Sequence, residues 1–125
     1  MRKLLVFVAG AVVITCITTA ITDISLVFAA DMTVKGEVVD VACALSKGDG
    51  GKGAGHAGCA MSCAKNGQPV GILTDDAVFE VTGDYASNRN AKLLDFVAKR
   101  VEVTGQVSEK SGKKTIAIKS IKLLQ

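Results

Sequence analysis

Apolar positions along the chain fall into blocks whose spacing changes from two residues to three or four. Residues 100–108 alternate, with Val101, Val103 and Val107 on one side and Glu102, Thr104 and Gln106 on the other, which marks a half-buried antiparallel strand. Ser111-Gly112 supplies a turn, and residues 114–123 form its partner strand. In that partner the apolar parity switches from Ile116 and Ile118 to Ile121 and Leu123, so a bulge is expected near Lys119. Residues 70–74 and 78–82 are short apolar runs on either side of Asp75-Asp76, the composition of a hairpin, with Phe79 and Val81 facing the core. The Val-rich residues 32–42 read as a long first strand ending near Cys43, and Gly36 within it suits a bend or bulge.

Two segments carry helical character instead. Residues 56–66 are Ala-rich and unbranched, and Gly67 followed by Pro69 provides a left-handed cap and a stop. Asn90 can cap a helix whose Leu93, Leu94 and Val97 form an apolar stripe, suited to plugging one end of a sheet. Residues 47–58 are too rich in glycine to pack a core and are expected to be a mobile loop.

The order is therefore strand, glycine loop with a small helix, two strands, helix, two strands. That order and the segments Lys99-Arg100-Val101-Glu102-Val103-Thr104-Gly105-Gln106-Val107 and Lys114-Thr115-Ile116-Ala117-Ile118-Lys119-Ser120-Ile121 resemble the OB-fold. The resemblance implies a mainly β domain: a five-stranded Greek-key barrel with a short helix in the first connection and one helix between strands three and four. More narrowly, the chain resembles small exported bacterial OB-fold proteins of unassigned activity, which carry a Cys, His, Cys, Cys insertion between the first two strands. Here that insertion is residues 43–69.

The beginning of the chain changes the picture of where this domain works. Arg2 and Lys3 precede residues 4–22, which carry no charge, and small residues follow at Ala29 and Ala30. This is the pattern of a signal peptide over residues 1–30, leaving a 31–125 domain that is periplasmic or secreted. The uncharged run of 19 residues is also long enough to remain as a membrane anchor. Lipid attachment at Cys16 is disfavoured by the large Thr15 before it. After the leader, 13 basic residues face 11 acidic ones, too small an excess to mark a nucleic-acid or anionic-surface binder. Phe79, Tyr85 and Phe96 are the only aromatic residues left, and two of them read as core, so stacking platforms for single strands are lacking.

The leader also alters the cysteine arithmetic. Without Cys16 the domain holds Cys43, Cys59 and Cys63, an odd number that cannot all pair internally, and the single histidine, His56, lies among them. His56, Cys59 and Cys63 have the spacing H-x2-C-x3-C, which puts the three side chains within about 60° of one another on a helix. A flexible connection lets Cys43 approach. Three thiolates and an imidazole form a closed tetrahedral set suited to zinc, and the same soft donors suit copper(I) or ferrous iron. A disulfide from Cys43 to Cys59 or Cys63, stapling the insertion to the barrel, uses the same residues differently. Thiol redox chemistry at Cys59, near a helix start and assisted by His56, is a third use, though no C-x-x-C pair is present.

Other motifs carry less. Gly48, Gly50 and Gly53 match G-x-G-x-x-G, but a hairpin rather than a parallel strand follows, which argues against a dinucleotide site. Lys52 is followed by Gly53 rather than Ser or Thr, so no phosphate loop is formed. Met61 falls on the helix face opposite Cys59 and reads as packing. Lys110, Lys113 and Lys114 read as a solvated hairpin tip. The chain is thus expected to be a monomeric, non-catalytic module holding zinc through Cys43, His56, Cys59 and Cys63. The alternative is a stapled domain that binds a protein, peptide, saccharide or other small ligand.

Overall fold

The computed structural model describes residues 30–125; the expected leader up to residue 29, Cys16 included, lies outside them. Five strands, β1 (Ala30–Asp40), β2 (Val70–Leu73), β3 (Val78–Thr82), β4 (Arg100–Lys110) and β5 (Lys113–Leu123), close into a barrel in the order β1-β2-β3-β5-β4. All neighbours are antiparallel except β3 and β5. Closure leaves no free sheet edge. Three short helices accompany the barrel: α1 (Val41–Lys47) and α2 (Ala57–Lys65) between β1 and β2, and α3 (Ser87–Asn90) between β3 and β4. The fold is a mainly β, closed five-stranded barrel, as the resemblance implies.

The strand pattern holds in detail. Val101, Val103, Phe79, Val81, Ile116 and Ile118 all point into the core. On β5 the pairing passes from Thr104↔Ser120 to Gly105↔Ile118, so Lys119 is the extra residue, where the parity change puts it. The bulge turns Ile121 only partly inward, and Leu123, expected to be buried, is 52% exposed. Ser111 and Gly112 both have positive φ, as a tight two-residue turn matched to the strand twist requires. In the β2–β3 hairpin the Thr74 hydroxyl accepts from the amides of Asp76 and Ala77 and donates to the Ala77 carbonyl.

Four expectations are corrected. Of the bend or bulge expected at Gly36, the bulge is absent: β1 stays in register with β4 from Ala30↔Val107 to Glu37↔Arg100. Its missing side chain instead admits the Leu73 carbonyl as β1 turns from β4 toward β2. The first strand stops at Asp40, and Cys43 lies in the first turn of α1 rather than at a strand end. The glycine-rich stretch is built from two 3-10 turns, Gly48–Gly51 and Ala54–His56, and is tied to β1 by the Gly53 amide, which donates to Glu37 Oε1 at 2.5 Å.

The fourth concerns the helix expected from Asn90. Leu93 and Val97 do plug the barrel, but through a 3-10 turn at Leu94–Phe96. Asn88, Arg89 and Asn90 are all left-handed, with φ of 50, 55 and 58°, a conformation that cannot start an ordinary helix. The Asn90 side chain does not cap its own segment; its amide donates to the carbonyls of Ala64 (3.0 Å) and Gln68 (2.9 Å) at the end of α2.

Gly36→Ala and Gly105→Ala should each destabilise the barrel by about 1–3 kcal/mol, the usual range for overpacking, because a Cβ would meet the carbonyl of Leu73 or Ala117. Gly55→Ala, which meets nothing, should leave the denaturant midpoint nearly unchanged.

Candidate metal centre

The site is assembled by the way β1 ends. Asp40, the last residue of β1, is extended (φ −72°, ψ 124°), and its Oδ1 accepts the Cys43 amide at 2.7 Å. That is an N-cap, worth about 1 kcal/mol to a helix. It starts α1 and fixes Cys43 in the first turn. Gly48, with φ of 53°, ends the helix. Gly51 is buried against the Cys43 carbonyl, where a Cβ would collide, so the glycine turn lies directly on α1.

That turn delivers His56 and then α2. Ala60 and Ala64, almost fully buried, bring α2 close to the barrel wall, with Met61 packed beside them as expected. The helix ends in a Schellman motif: the Gly67 amide donates to the Ala64 carbonyl and the Gln68 amide to the Cys63 carbonyl, both at 3.0 Å. Together with the Asn90 amide, these bonds hold the helix that carries Cys59 and Cys63.

The structure brings Cys43, His56 and Cys59 together: the two sulfurs and an imidazole nitrogen all lie within 4.8 Å of one another. Tetrahedral zinc with bonds of about 2.3 Å to sulfur and about 2.0–2.1 Å to nitrogen needs separations of roughly 3.5–3.8 Å. A contraction of about 1 Å would close the set, which makes it a group that could hold a metal ion. His56 is 8% exposed, and its Nε2 is buried with no hydrogen-bond partner. A buried polar atom left unpaired costs about 1–3 kcal/mol, so the ring sits where something other than the protein should satisfy it.

Cys63, the fourth predicted ligand, is not among those three. It lies one turn beyond Cys59, half-buried, beside the Cys59 thiol and the Asp40 carboxylate. Burial pushes its thiol above the ordinary range, and the charge of Asp40 and the nearby Cys59 raise it further. Cys43 is raised as well, first by its hydrogen bond to Asp40, then by burial and the Asp40 charge, with Lys47 opposing. Asp40 thus faces two of the thiols and is only 2% exposed. It was not among the sequence candidates. An Asp three residues before Cys43, followed by Ala, Leu and Lys and closed by Gly48, is nevertheless a helix start-and-stop pattern.

A groove of about 350 Å³, lined by none of Cys43, His56, Cys59 and Cys63, lies between Val41 and the exposed Leu45 of α1 and the tip of the β4–β5 hairpin at Gly112, Lys113 and Lys114. Lys113 is paired with Glu80 at 2.7 Å, and Lys114 lies over the Phe79 ring. Among the described residues no helix is long and apolar enough to cross a membrane. Comparison with family models, with curated proteins and with solved structures returns no match to this chain. What the site does is therefore read from its own geometry.

In the metal-free protein Cys59, the exposed thiol, should alkylate fastest at neutral pH. Cys43 and Cys63 should lag, because a raised pKa leaves less thiolate, and should catch up only as pH passes the ordinary thiol range. Peptide mass mapping of a timed iodoacetamide reaction checks the order.

Proposed function

We propose that this chain is an exported, non-catalytic metal-binding module, in which Cys43, His56 and Cys59 hold one zinc ion and Cys63 completes a Cys3His set. The observation that carries this reading is the buried His56 ring. Its Nε2 has no partner in the protein, while an imidazole nitrogen of the same ring lies within 4.8 Å of two sulfurs. A disulfide between Cys43 and Cys59 would use the same sulfur proximity but would leave that ring unsatisfied.

Cys63 supports the closed set because its thiol lies beside the Cys59 thiol on the same helix. Four protein ligands leave no open position for substrate, which favours a structural or storage role over catalysis. The charged start and uncharged run of the leader support export.

Native mass spectrometry of the protein isolated from its own compartment tests the proposal. One bound zinc ion, together with alkylation of Cys43, Cys59 and Cys63 after denaturation, is expected. A mass two hydrogens short, with one thiol left to alkylate, would replace the metal site by a disulfide staple. Because changes outside the ligand shell already weaken metal sites about 10–100-fold, His56→Ala should lower zinc affinity by at least that factor while leaving the barrel folded.

A further inference from the structure

Resting on the metal-binding reading, we infer that Asp40 is a selectivity-determining residue, which biases the Cys43–His56–Cys59 site toward a divalent ion over a monovalent one. Asp40 stands at the end of β1, 2% exposed, with one carboxylate oxygen on the Cys43 amide at 2.7 Å. Its charge acts on both the Cys43 and the Cys63 thiols. Loading a metal turns thiols into thiolates, so Asp40 becomes a further negative charge beside an anionic ligand set. Lys47 is the basic group acting on Cys43 there.

A cation bound among these ligands interacts with the Asp40 charge in proportion to its own charge. A dication such as zinc gains twice what copper(I) gains from the same carboxylate at the same distance. The soft donors by themselves accept either ion. The ligand set supplies affinity, and Asp40 supplies the discrimination that thiolate and imidazole lack.

The inference separates cleanly from a purely structural role. Asp40→Asn keeps an N-cap acceptor of the same size and removes only the charge. Removing the charge also eases thiol deprotonation, but zinc and copper(I) displace the same protons, so that effect cancels in the ratio of their affinities. If the attraction of Asp40 for bound zinc is worth about 10–100-fold, the range for groups outside the ligand shell, its attraction for copper(I) is worth only about 3–10-fold. The zinc-to-copper(I) affinity ratio should then fall by about 3–10-fold.

The experiment is an anaerobic competition titration of the wild-type protein and D40N with each metal against a chromophoric chelator, with circular dichroism as the check on folding. A lowered ratio in folded D40N supports the inference. An unchanged ratio overturns it, including the case where both affinities drop equally, since that is what a mere cap would produce. If D40N does not fold, Asp40→Ser, another uncharged N-cap, is read in the same way. Wild-type protein that binds neither ion contradicts the metal reading and takes this inference with it. Wild-type binding with an unmoved ratio removes only the role given to Asp40.

Discussion

The hydrogen bond from the Cys43 amide to Asp40 is the joint on which the site turns. Before it, the chain is a strand with neighbours on both sides, its backbone groups satisfied by β4 and β2. After it, the chain leaves the barrel as a helix, and the free amides of the first turn need an acceptor. A buried carboxyl at that corner satisfies one of them and also stands beside two thiols. One side chain therefore ends the strand, starts α1 and places a carboxyl beside the cluster. Its burial in a closed barrel explains why the cluster lies at a fixed place instead of on a loose insertion.

The other half of the cluster is positioned by backbone contacts that tolerate little change. Gly51 can rest on the Cys43 carbonyl only because it has no side chain. The Gly53 amide reaches Glu37 on β1, and these two contacts pull the glycine turns onto the barrel so that His56 arrives buried. At the far end of α2, the Ala64 carbonyl accepts both the Gly67 amide and the Asn90 side chain. The left-handed run at Asn88, Arg89 and Asn90 is an unusual conformation for three residues other than glycine, of a kind that persists only where surroundings enforce it. Here the enforcement comes partly from the Asn90 amide, whose bonds to α2 make the connection between β3 and β4 a brace for the helix carrying Cys59 and Cys63.

The strands were legible in the sequence because strands that bury one face must alternate, and their closure into a barrel was what the resemblance implied. Val101 and Val103 and the parity change around Lys119 follow directly from that constraint. The helix α2 was legible from its alanines and from Gly67 and Pro69. The end of the first strand was set two residues too far, because the valine before Cys43 continues to favour extended chain and the signal that stops it is the single side chain of Asp40. The helix expected after Asn90 failed for a different reason: its apolar spacing was real, and Leu93 and Val97 are buried, but the left-handed backbone and the diverted Asn90 amide leave only a 3-10 turn. Of the four cysteine and histidine candidates, three converge. Cys63 could not be separated from Cys59 by helical spacing alone, since both occupy the same face of α2.

X-ray absorption at the zinc edge on the loaded protein tests whether one ion is shared by α1, the turn before α2 and α2 itself. A shared ion would show imidazole nitrogen at about 2.0–2.1 Å together with two or three sulfurs at about 2.3 Å. A first shell of oxygen and nitrogen without sulfur would contradict it, because zinc would then be bound at the surface and not among Cys43, His56 and Cys59.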